Sequence, residues 1–84
     1  MTEKQTLYFM KVYEKKNIAL ASDELYVSRP VVSRAIAELE REFDTLLLSH
    51  LSTGVEPTDE GIAVYRLICN MTANYNSLAA DIKK

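Results

Sequence analysis

Two glycines, two prolines and a single cysteine stand in 84 residues. So few turn formers leave room for few tight turns and favour long helices joined by short links. The lone Cys69 has no partner in the chain for a disulfide, and without a Cys/His cluster there is no zinc site. No run of 18 or more apolar residues appears and no signal peptide, so the sequence predicts a soluble, cytoplasmic protein with no membrane partner. A phosphate loop and a nucleophile paired with a base are missing too, which points away from an enzyme and from any cofactor. Positive charge is also scarce, with 10 Lys and Arg against 12 Asp and Glu and a net charge of −2. A basic total would have favoured nucleic acid, and this chain does not have one.

What is present is enough for one folded unit. Apolar residues make up 48% and charged residues 26%, so the chain supports a modest core rather than disorder. Its size leaves no space beside that core for a small-molecule site. The charge is unevenly spread: Lys4, Lys11, Lys15 and Lys16 make the first helix positive, whereas Glu38, Glu40, Glu42 and Asp44 crowd a later stretch.

Taken in order, Thr2-Glu3-Lys4-Gln5 fits a capping box, so a helix starts at Glu3 and runs to about Lys16. Four consecutive apolar residues, Leu7 to Met10, predict that it buries more than one narrow stripe. Asn17 ends this helix or caps a second, short one over Ile18 to Leu25, in which Ala21 is small enough for a close helix crossing. Tyr26-Val27 is then a tight turn into a third helix, which makes a helix-turn-helix.

The third helix, about 29–42, organises the chain. Ser28 is a suitable N-cap whose hydroxyl would accept from the first turn, and Pro30 falls where no intrahelical N–H is lost. Val32, Ile36, Leu39 and Phe43 recur at steps of four, three and four, one buried stripe. At about 100° per residue, Arg34 and Arg41 point away from it. Both arginines also suit solvated pairing with acids of the same helix, such as Glu38.

Leu46 to Leu48 reads as a strand, with Gly54 at the tip of a hairpin and Val55 starting the returning strand. Pro57 to Glu60 then restart helix, with Thr58 as N-cap and two acids in the first turn. Val64, Ile68, Met71, Tyr75, Leu78 and Ile82 step by four and three along this last helix, a heptad seam. The inner members, Val64 and Ile68, can pack on the domain, but the outer ones lie too far along. A partner helix from a second copy is therefore expected, with Cys69 a buried small hydrophobe near the seam.

The residues Phe9, Val12 and Glu14, then Ala21, Leu25, Val27, Ser28, Pro30, Val32, Ser33, Ile36, Leu39 and Glu40, then Leu47, Thr58 and Gly61, carry a family pattern without insertion or deletion. From about Thr6 to Gly61 the chain resembles the N-terminal DNA-binding domain of LysR-type transcriptional regulators. The resemblance implies a mostly α fold: a winged helix-turn-helix of three helices and a two-stranded wing over 1–57, then a linker and dimerisation helix over 58–84. It implies a homodimer that puts its third helix in the major groove of double-stranded DNA and reads an inverted-repeat operator. Arg29 stands where the family usually has a base-reading Gln, and Arg there would favour guanine O6 and N7. Ser28, Ser33 and Arg34 match positions expected to touch phosphates or base edges, and Pro30 and Val31 complete that end of the helix.

Departures from the pattern gather in the wing. His50 replaces a phosphate-pairing arginine, and Thr53, Gly54 and Glu56 occupy positions that are commonly arginine. Asp44 stands for the glycine after the third helix, and Ser22 for the second Ala of an Ala-Ala pair. Thr6 takes a usual leucine position, with Leu7 expected to compensate. Such losses imply weaker or more salt-sensitive DNA binding through His50 and Thr53. They also leave open an alternative, a protein-interaction winged helix that has lost DNA affinity and modulates another regulator.

Overall fold

The computed structural model describes residues 1–82. Four helices and one hairpin follow in the order α1 (Glu3–Lys15), α2 (Ile18–Leu25), α3 (Arg29–Phe43), β1 (Leu48–Leu51), β2 (Gly54–Pro57) and α4 (Asp59–Ile82). Lys83 and Lys84, the end of the expected 58–84 segment, lie outside the described residues.

Local chemistry sets most of these boundaries. The capping box of α1 is complete: the Gln5 amide donates to the Thr2 hydroxyl at 3.1 Å, and the Thr2 amide to the Gln5 side chain at 3.0 Å. Asn17 caps α2 by accepting from the Leu20 amide at 3.0 Å. Three helices end on a non-glycine residue in the left-handed region, Lys16, Tyr26 and Asp44, so Asp44 holds the conformation for which glycine is preferred. Ser28 departs from expectation. It occupies the N-cap position of α3, yet its hydroxyl makes no capping hydrogen bond.

The core lies where α1, α2 and α3 cross. Phe9, Val12, Ala21, Val32, Ile36 and Leu39 are buried there, joined by Leu47, Leu48 and Val55 from the hairpin and Val64 and Ile68 from α4. Phe43, the last of the α3 stripe, packs partly against it. Ser22 is buried among these apolar groups without cost to hydrogen bonding, because its hydroxyl donates to the Ile18 carbonyl one turn back. Leu7 does not take over from Thr6. It is half exposed, while the Thr6 hydroxyl donates to the Glu3 carbonyl at 2.9 Å. A four-residue apolar run spans more of a helix than one neighbour covers, and Phe9 alone of the four is fully inside.

The hairpin starts later than the apolar run suggests. Leu46 and Leu47 precede β1, and Leu46 is 63% exposed. Ser52-Thr53 form the two-residue turn, and Gly54 belongs to β2, opposite Leu51, rather than to the tip. Gly54 has φ 149, and a Cβ there would collide with the Lys16 carbonyl oxygen. The next residue explains the closeness: the Val55 amide donates to that same carbonyl at 3.0 Å, pinning the wing to the end of α1.

Thr58 joins hairpin to α4. Its hydroxyl accepts from the Gly61 amide at 3.0 Å, the expected N-cap bond, and donates to the Leu46 carbonyl at 2.7 Å. Its own amide donates to the Leu47 carbonyl at 3.0 Å, against which Gly61 packs so tightly that no Cβ fits. From there α4 runs outward and makes the molecule 49 Å long but only 27 Å and 19 Å across.

Candidate nucleic-acid interface

Helix α3 buries Val32, Ile36 and Leu39 and turns Ser28, Arg29, Pro30, Val31, Ser33 and Arg34 to solvent. The buried stripe orients the helix and leaves its opposite face to solvent. Neither Arg29 nor Arg34 forms an ion pair or hydrogen bond among the described residues. Arg34 in particular is not paired with Glu38, whose carboxylate instead accepts from the Gln5 side chain at 2.9 Å. Arg41 is exposed near the far end of α3, well along from this cluster.

The expected contact residues fall into two groups. Arg29 and Ser33 face His50 and Thr53 of the hairpin across an open groove of about 450 Å³, whose floor is the start of α2. The sequence predicts no such concavity; it lies between α3, the start of α2 and the hairpin, which the Val55–Lys16 bond ties to the end of α1. Val31 and Arg34 lie on the other flank of α3, along a smaller groove of about 270 Å³ shared with Lys4 and Tyr8 of α1. Ser28 and Pro30 are exposed at the start of α3 and line neither groove. The hairpin contributes no Lys or Arg; between Leu48 and Pro57 its charged residue is Glu56.

The acids that crowd α3 prove structural. Glu40 turns inward, where one carboxylate oxygen accepts from the backbone amides of Leu47 at 2.7 Å and Leu48 at 3.2 Å. Glu42 pairs with the Met1 amino group, and Asp44 is the C-cap. Glu38 is the exception: it is exposed and lines the Arg34 flank of α3, so one acid stays on that side of the helix.

Along α4 the seam divides. Val64 and Ile68 are buried against the body, whereas Met71, Tyr75, Leu78 and Ile82 are 50%, 71%, 61% and 74% exposed. Tyr75, Leu78 and Ile82 form a continuous apolar strip with Ala79 between them. Cys69 is half-buried rather than enclosed.

One cluster near this helix has no counterpart in the sequence reading. Tyr65 of α4 stacks on Tyr13 of α1, centroids 3.9 Å apart and planes 5° from parallel. Its hydroxyl donates to Glu14 at 3.0 Å. That bond to a carboxylate, reinforced by partial burial and the negative charge of Glu14, holds the Tyr65 phenol protonated up to about 12. Nothing local marks the pair, since the hydrogen-bonded residues lie 51 positions apart.

Comparison with known proteins follows the same geometry. Residues 4–62 match the family model described as bacterial regulatory helix-turn-helix protein, lysR family. The HTH-type transcriptional regulator BudR of Raoultella terrigena is 41% identical over 66 residues, which are 79% of this chain and 23% of BudR. BenM of Acinetobacter baylyi is 31% identical over 77 residues, 92% of this chain and 25% of BenM. The chain thus spans about a quarter of the length of each of these two relatives. Among solved structures, the complex of the BenM DBD with benA site 1 DNA is similar at a TM-score of 0.87 and 30% identity, covering 99% of this chain and 96% of that one. The CbnR DBD–DNA complex is similar at 0.82 and 29% identity over the whole of both chains.

Proposed function

The chain belongs to the lysR family of bacterial regulatory helix-turn-helix proteins, and from that premise we propose that it binds double-stranded DNA sequence-specifically, as a homodimer, in transcription regulation. The similar BenM and CbnR structures are complexes with DNA, which supports the reading. The observation that carries it is the solvent face of α3, where Arg29 and Ser33 beside the open groove, and Arg34 on the opposite flank, stand free of intramolecular partners. A B-form major groove, about 12 Å wide, admits an α-helix.

In this reading residues 1–57 form the reading head and 58–84 the dimerisation helix. Arg29, at the N-terminal end of α3, selects guanine by bidentate bonds to O6 and N7. Ser28, Ser33 and Arg34, with the first-turn amides of α3, hold phosphates and orient the helix. Pro30 and Val31 supply apolar contact at the groove floor, and His50 and Thr53 approach the backbone from the wing. Met71, Tyr75, Leu78 and Ile82 pair with the same residues of a second copy, so two heads meet an inverted repeat. The protein works in the cytoplasm, where its DNA is; among the described residues no helix is long and apolar enough to cross a membrane.

The wing without Lys or Arg favours a second reading, a winged helix that binds another regulator and has lost DNA affinity. Selection from a pool of random duplexes over a range of salt separates the two. Enrichment of a two-fold symmetric motif, relaxed at one position per half by Arg29→Ala, is the expected result. A folded dimer that enriches nothing even at low salt overturns DNA reading in favour of a protein partner.

A further inference from the structure

Helix α4 has two jobs in the proposed dimer, to hold the partner and to aim the reading head, and the structure shows how little contact sets its aim. Val64 and Ile68, one turn apart, anchor it along a single line, and Gly61 lets its first turn lie directly on the Leu47 carbonyl. Half-buried Ile62, Tyr65 and Cys69 flank that line on one side, and Tyr65 alone of the three carries an aromatic stack and a hydrogen bond to α1. Tyr65 sits about 100° round the helix from Val64, so its contacts act to one side of the buried line. It stacks on Tyr13 at 3.9 Å and bonds Glu14 at 3.0 Å. Tyr13 in turn leans on the buried Phe9, ring centroids 6.0 Å apart, which ties the stack to the core.

We propose that the Tyr13–Tyr65–Glu14 contact is the joint that fixes the angle between the reading head and α4, and through it the half-site spacing that the dimer accepts; this rests on the DNA-reading dimer described above. Leverage makes the joint matter. The helix continues from Tyr65 to Ile82, roughly 26 Å at 1.5 Å per residue. A swing of about 10° at Tyr65 moves the far end by about 4 Å, more than the ~3.4 Å rise of one base pair. The three residues are therefore positioning residues. They touch no base, and they decide whether the second head falls on its site once the first is bound.

Two measurements on the whole chain test this, with Tyr65→Ala and the milder Tyr13→Leu as variants. The first is binding to the selected duplex and to duplexes with one base pair added or removed between the halves. Wild-type protein is expected to lose about tenfold or more per change, because one head can no longer engage with the other. The variants keep the half-site sequence and lose about threefold or less. Equal penalties in wild type and both variants overturn the joint. The second needs no DNA: spin labels at Arg41→Cys and Ala80→Cys in a Cys69→Ser background, with labelled chain diluted into unlabelled. Either variant should broaden the head-to-arm distance distribution, and unchanged distributions overturn the joint even if no operator is found. A broadened distribution in a protein that selects no DNA would keep the joint and discard the DNA reading.

Discussion

At Glu40 one carboxylate oxygen accepts from two successive backbone amides, Leu47 at 2.7 Å and Leu48 at 3.2 Å, as the chain leaves α3 for the hairpin. Both leucines are buried and the two bonds partly so, which makes the lost acceptor costly to replace. Glu40→Ala should cost about 2 kcal/mol for the stranded amides, and Glu40→Gln, which keeps a carbonyl oxygen, about half as much; urea unfolding reads both. Tyr65 gives a prediction in pH. Glu14 accepts a hydrogen bond from its phenol, so the folded chain keeps the phenol protonated up to about 12, above the ordinary value of 10.0. The stabilisation is fully present below the ordinary value and is lost as pH rises from there through about 12. Tyrosinate absorbance should show a step near pH 12 that Tyr65→Phe removes and Glu14→Gln moves downward. A step unmoved by Glu14→Gln would mean that the carboxylate is not its cause.

Among elements, the helices were legible because their signals are local. Thr2 with Gln5, Asn17 and Thr58 each cap the helix that follows within three residues, and the Val32–Ile36–Leu39 stripe faces inward as its period demands. The misreadings share a different cause. Leu46 and Leu7 are exposed although each lies in an apolar run, because a run does not say which member meets a neighbour. Ser28 is an N-cap by position but not by hydrogen bond. Long-range contacts decided Glu40, the Tyr13–Tyr65 stack and Gly54, and no spacing in the sequence announces them. Gly54 also explains part of the arginine-poor wing: a side chain there would strike the Lys16 carbonyl, so its position is closed to arginine. Thr53 and Glu56 are exposed and open to it. Thr53→Arg with Glu56→Arg should tighten DNA binding and steepen the slope of log affinity against log salt by about one to two. An unchanged slope would place the wing away from the phosphates.

The whole molecule is a small head on a long arm, 49 Å end to end, whose outer half carries Tyr75, Leu78 and Ile82 in the open. An apolar strip of that kind is expected to find a second copy. Leu78→Asp should yield a folded monomer in sedimentation velocity that binds a single half-site and loses preference for a paired one. The helix-turn-helix and the long last helix were readable from caps and period, whereas the groove facing Arg29 became visible only once the hairpin was placed. In the proposed dimer α3 reads bases through Arg29 in two symmetric halves. Binding of wild type and Arg29→Ala to the selected site, with each base pair replaced in turn, tests this. Replacing one guanine in each half should cost wild type about 1–3 kcal/mol and Arg29→Ala almost nothing, with every other position equally costly to both. If both proteins show the same cost at every position, Arg29 reads no base and the account of this interface is wrong.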